Sequence, residues 1–115
     1  MKLKVITPHQ SNYPNPIKFA AGESLIIGKR DDQYPGWVKV TTTDNNQGWA
    51  PLDFIELNSA NNLGIAQFDY DATELTVHAG QTLTLISELN GWYWCANEAG
   101  CYGWVPCENC KSITV

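Results

Sequence analysis

Hydrophobic and polar residues alternate with a period of two along most of the chain. Short runs such as Lys2-Leu3-Lys4-Val5-Ile6, Ser24-Leu25-Ile26-Ile27, Trp37-Val38-Lys39-Val40-Thr41, Thr82-Leu83-Thr84-Leu85-Ile86 and Trp92-Tyr93-Trp94-Cys95-Ala96 are β-branched or aromatic and are bounded by Gly, Pro, Asn and Asp. Almost nothing carries a helical period. The pattern predicts first a strand at Leu3 to Thr7, then a turn at Ala21-Gly22-Glu23 where glycine supplies a positive φ, then a strand at Leu25. A hairpin from Trp37 to Pro51 turns across Asp44-Asn45-Asn46, and one 3₁₀ turn follows at Leu52 to Ile55. The same order then recurs: a strand at Leu63 to Phe68, a loop from Asp69 to Thr76, a turn at His78 to Gln81, a strand at Leu83 to Ser87, a hairpin from Trp92 to Pro106 and a closing turn at Cys107 to Cys110. Short strands at this spacing make an all-β chain of compact barrels or sandwiches.

The recurrence is a duplication. Gly36-Trp37 and Gly48-Trp49-Ala50-Pro51 return as Gly91-Trp92 and Gly103-Trp104-Val105-Pro106 at a constant offset of 55. The matching turn glycines, Gly22 and Gly80, are 58 apart, so the second copy has lost three loop residues before its tryptophan. Between the copies, Asn58-Ser59-Ala60-Asn61-Asn62 is polar and aperiodic. The sequence therefore predicts a first domain at 1–57, a linker at 58–62 and a second domain at 63–115. Domains of this size bury little surface, and five Trp, five Tyr and three Phe suit cores that depend on large side chains.

Composition narrows the partners. The first 57 residues balance six Lys and Arg against six Asp and Glu, whereas residues 58–115 set one Lys against six acids, a net −5. An acidic second half disfavours nucleic acid and anionic membranes, which need Lys and Arg to neutralise phosphate, and favours a basic ligand. With no apolar leader at Met1 to Pro8 and no apolar run of about 18 residues, the expectation is a cytoplasmic protein, monomeric or weakly dimeric.

Ala66-Gln67-Phe68-Asp69-Tyr70, Glu74-Leu75-Thr76-Val77, Ala79-Gly80-Gln81, Gly91-Trp92-Tyr93 and Gly103-Trp104-Val105-Pro106 together resemble, in order, the motifs of a Src-homology 3 (SH3) domain. The first copy resembles it through Gly22, Trp37, Gly48-Trp49-Ala50-Pro51 and Phe54, with Val5-Ile6-Thr7-Pro8-His9 in place of the first aromatic tract. The whole is similar to a tandem pair of the variant SH3-like modules found in bacteria. That resemblance implies two five-stranded small barrels, each holding an extended ligand in a shallow aromatic groove, for which a preorganised polyproline helix is well suited. Carried over by motif, the second groove is Phe68, Tyr70, Trp92 and Pro106, with Asp69, Asp71 and Glu74 available to a ligand Arg or Lys. Asn109 stands where the family has an aromatic wall. The first groove is Trp37, Pro51 and Phe54, with Tyr13 or Tyr34 as its missing face, while Trp49 and Trp104 are assigned to packing.

No catalytic constellation accompanies these motifs. His9 and His78 lack a nucleophile or carboxylate at triad spacing, and no glycine-rich tract cradles a phosphate. Cys95, Cys101, Cys107 and Cys110 have two spacings that suit zinc, but Cys95 aligns with Val40 and Cys110 with Ile55, which makes them small core residues. The expectation is thus a non-catalytic protein- or peptide-binding module without cofactor or metal. A structural or assembly protein with covered grooves, and a cell-wall-binding module, are the alternatives.

Overall fold

The computed structural model describes residues 1–11 and 15–113. Among them the regular structure is all β: β1 (Lys2–Val5), β2 (Lys18–Phe19), β3 (Ser24–Arg30), β4 (Trp37–Thr41), β5 (Gln47–Pro51), β6 (Ile55–Leu57), β7 (Leu63–Ala66), β8 (Tyr70–Asp71), β9 (Thr82–Leu89), β10 (Trp92–Ala96), β11 (Tyr102–Pro106) and β12 (Cys110–Ile113). The 3₁₀ turn predicted after Pro51 is present at Leu52–Phe54, and the closing turn predicted after Pro106 is a second 3₁₀ turn at Cys107–Asn109. The first predicted hairpin is also present, with Trp37 opposite Pro51, Thr41 opposite Gln47, and Asn45 in the turn at φ 64.

Strand pairing divides the chain differently from the repeat. One sheet runs β5-β4-β3-β7-β6 and the other β11-β10-β9-β1-β12, so each repeat contributes its first strand to the other repeat's sheet. The compact units are accordingly Asn15–Ala72, and Met1–Pro14 together with Thr73–Val115. We call these the continuous and the split unit. In sheet order they are the same SH3-like barrel twice, each bent by an irregularity in the register of its longest strand.

The predicted 58–62 linker is in fact a hairpin inside the continuous unit. β6 and β7 pair antiparallel with Leu57 opposite Gly64. Asn58 accepts on its side-chain oxygen from the N–H groups of Asn62 and Leu63, its own N–H donates to the Leu63 carbonyl, and Asn61 takes φ 58. Asparagine tolerates that left-handed conformation, which lets five polar residues return the chain onto β6 rather than carry it away. The chain passes from unit to unit instead at residues 14/15 and 72/73.

Side-chain volume explains the exchange. β1 and β7 show the same alternating burial, so period alone does not distinguish them. In the split unit Val5 lies opposite Cys110, and Leu3 and Val5 are fully buried with Leu75, Val77, Leu83, Cys95 and Val105. In the continuous unit the larger Ile55 lies opposite Ala66, and a Cβ added to Gly64 would come within 2.5 Å of Ile55 Cγ2. Large first-strand residues thus meet a small last-strand residue, and small ones meet a large one. With β1 and β7 interchanged, Val5 would oppose Ile55 and Leu3 would occupy the place of Gly64, overpacking one core while leaving the other underfilled. The turn glycines follow the same pairing: Gly22 N–H donates to Ala66 and Gly80 N–H to Val5, at φ 92 and 94.

Candidate functional site

Exchange of the first strands redistributes the predicted groove residues. In the continuous unit, β4 opens with Trp37 and β5 ends on Pro51 directly opposite it; the following 3₁₀ turn projects Phe54. The chain leaving β7 brings Phe68 and Tyr70 to the same place, held by the Gln67 N–H donating to the Phe54 carbonyl at 2.7 Å and by β8 pairing with β2. Tyr70 is the hub. Its ring centroid lies 5.4 Å from Phe19, 5.9 Å from Phe54 at a right angle, and 6.3 Å from Trp37, while Phe54 is 5.2 Å from Phe68. Trp37, Pro51 and Tyr70 are buried and form the floor; Phe54 is half-buried, and Phe68, 56% exposed, forms the lip.

Tyr70, from the other repeat, thus packs beside Trp37 and Phe54, while Tyr34 is half-buried with its N–H donating to the Asp31 carboxylate. Tyr13 lies outside the described residues. Phe19, which sequence reasoning left out, is drawn in because β2 pairs with β8, a contact invisible until the exchange is known. Of the predicted carboxylates, Asp69 accepts the Ala21 N–H at 2.9 Å, and Asp71 lies 3.8 Å from the exposed Lys18 ammonium. The continuous unit carries four Lys and Arg against eight Asp and Glu, a net −4, and the split unit three against four, a net −1. Acidity therefore gathers in the unit with the aromatic groove, not in the second half of the sequence as such.

The split unit holds Trp92, Pro106 and Glu74, whereas Phe68 and Tyr70, which the motif grouped with them, belong to the continuous unit. His9 occupies the place that Tyr70 has in the other unit. Its Nε2 is 2.9 Å from Glu74 Oε1, both side chains are largely buried, and the imidazole meets Trp92 edge-on at 5.7 Å. Asn109, in the place of Phe54, is buried and donates from its side-chain amide to the Thr7 and Pro8 carbonyls, while its own carbonyl accepts from Ile6 and Thr7. These polar groups bind segment 1–11 to the rest of the unit. Farther along the hairpin Trp94 is nearly parallel to the exposed Tyr102 at 6.5 Å and packs on the buried Trp104 at 5.2 Å. Of the two tryptophans assigned to packing, Trp104 is buried and Trp49 half-buried.

The four cysteines are free thiols. Burial pushes Cys95 up to about 12 and, together with nearby Glu88, Cys107 up to about 11; burial also raises Cys110. Such thiols stay protonated at neutral pH and are poor nucleophiles and metal ligands. Among the described residues no three His, Cys, Asp or Glu side chains are grouped to hold a metal ion.

The sequence profile of the variant SH3 domain family matches residues 63–113, the second repeat in sequence order. No curated protein and no solved structure matches the chain. Of the matched stretch, 63–72 builds the continuous unit and 73–113 the split one. Residues 63–113 are thus similar to variant SH3 domains, and the first strand of that stretch is set in the sheet of the neighbouring repeat.

Proposed function

We propose that the protein is a non-catalytic interaction module that works through one groove, that of the continuous unit, where Trp37, Pro51, Phe54, Phe68 and Tyr70 take a short extended peptide containing proline and at least one Arg or Lys. The observation that carries this reading is the convergence of all five residues on one unit with a net charge of −4. Flat aromatic faces grip a polyproline II ligand with little ordering cost, and surrounding carboxylates favour its cation. In the split unit, the equivalent polar side chains are occupied in holding segment 1–11, which supports a structural role there. The reading places the protein in a reducing compartment such as the cytoplasm, in keeping with its free thiols.

The test follows the tryptophan indole N–H signals of the full chain by NMR while a proline-rich, arginine-containing peptide is added. Saturable movement of the Trp37 signal, identified with Trp37→Phe, is the expected result. Because Phe68 is exposed, Phe68→Ala should leave stability within about 0.5 kcal/mol yet weaken binding at least about tenfold, near 1.4 kcal/mol. Movement of Trp92 alone, or an affinity indifferent to Phe68, would refute the assignment.

A further inference from the structure

The outer face of β3 and β7 bears three exposed aliphatic side chains that the barrel does not need. Ile26 (57% exposed) lies directly opposite Leu63 (50%), and Ile65 (43%) is two residues farther along β7 on the same face. Beside them is a hollow of about 330 Å³, lined on its other side by Thr41 at the end of β4 and by Thr42, Thr43 and Asn45 of the turn that follows. The split unit is an internal control. There the same sheet positions, by strand order and register, are Thr84, Lys2 and Lys4, with Lys2 donating to Thr84. An identical sheet position thus accepts lysine and threonine, so the fold itself does not dictate isoleucine and leucine.

The charges around the patch indicate what covers it. Glu56 is the cross-strand neighbour of Ile65. Asp44, next to the hollow, accepts from the Thr42 hydroxyl, and this bond holds its carboxyl below the usual carboxylate range, keeping it charged. Lys39, two residues before Thr41 on the same face of β4, lies beside Gly28 on β3 and is the basic residue at the Ile26 end of the patch. An aliphatic strip with acids at two margins, on a unit of net −4, complements an aliphatic ridge flanked by lysine or arginine and repels a second copy of itself. We propose that this face is a second docking surface, distinct from the aromatic groove, for an amphipathic helix of a protein partner with aliphatic residues on one side and basic residues at its edges.

The test uses ¹⁵N-labelled full-length chain and three synthetic 18-residue peptides: leucine on one helical face with lysine elsewhere, the same composition scrambled, and the first peptide with glutamate for lysine. Saturable shifts at Ile26, Leu63 and Ile65 are expected with the first alone. The triple variant Ile26→Thr/Leu63→Lys/Ile65→Lys, which installs the split unit's own residues, should reduce that affinity at least tenfold. Leu63→Lys alone provides the same comparison if the triple variant does not fold, and should lose several-fold. Equal response to the scrambled peptide, shifts centred on Phe68 and Trp37, or unchanged affinity in the variants would overturn the proposal. So would sedimentation showing a dimer that Leu63→Lys dissociates, because the face would then belong to a second copy.

Discussion

Gly103 shows how closely single positions are fitted. A Cβ there would lie 2.8 Å from the Leu75 nitrogen and 2.9 Å from the Glu74 carbonyl carbon, both backbone atoms that cannot swing away. At its repeat partner Gly48 the three atoms nearest an added Cβ all belong to the side chain of Ile17, the closest at 3.0 Å. Gly103→Ala should therefore destabilise the protein by about 1–3 kcal/mol, and Gly48→Ala by less, as read from urea unfolding midpoints. The cysteines add a dependence on pH. Cys95 has its ordinary value near 9 raised to about 12 by burial, so the folded state favours the neutral thiol. Its contribution is whole below pH 9, where folded and unfolded chains both hold the proton, and is lost as pH rises from there towards 12 and the unfolded chain ionises. Stability should fall over that window, and Cys95→Val, which installs the residue found at Val40, should flatten the fall in a thermal-melt series. Both cysteine assignments to the core are legible from the repeat register alone, and the structure buries Cys95 and Cys110.

Among elements, the hairpins and 3₁₀ turns are local, and the sequence places them within a residue or two. Their turn residues carry the needed geometry themselves, as Asn45 does at φ 64. β1 and β7 are different. Alternation says that Leu3 and Val5, or Gly64 and Ala66, point inward, but a period of two carries no information about which core receives them. Volume decides. Gly64→Leu, the change to the residue of β1, would drive the new side chain into Ile55 and should cost several kcal/mol, on the order of other severe overpacking. The exposed Ser59→Leu on the same hairpin should be nearly neutral. Comparable losses at both positions would show that volume matching does not set the exchange. The aromatic cluster depended on the same step: Trp37, Pro51 and Phe54 are grouped by the sequence, whereas Phe68 and Tyr70, grouped there with Trp92, are set beside Phe54 by strand pairing.

For the whole molecule, the exchange predicts which pieces stand alone. Residues 15–72 contain every strand of the continuous unit, and their ends are tied by β2 pairing with β8 and by the Ala72 N–H donating to Ile17. That segment should fold by itself and show a cooperative thermal transition. The sequence-defined repeat 63–115 lacks Leu3 and Val5, two fully buried residues of the split unit's core. It should remain unfolded by circular dichroism and regain structure only when residues 1–14 are supplied in the same chain. A folded 63–115 fragment would show that the repeats also pair without exchange.

The amino-acid sequence by itself determined the all-β class, the repeat, the hairpins and the turn glycines, because each follows from local pattern, register or turn chemistry. Tertiary structure alone decided where each first strand lies, and with it the compact units, which aromatic rings pack together, the charge of each unit and the contacts that His9 and Asn109 make. The physical reason is that strand partners separated by tens of residues are selected by fit. Val5 against Cys110, and Ala66 and Gly64 against Ile55, fill two cores that the opposite pairing would overfill and leave hollow.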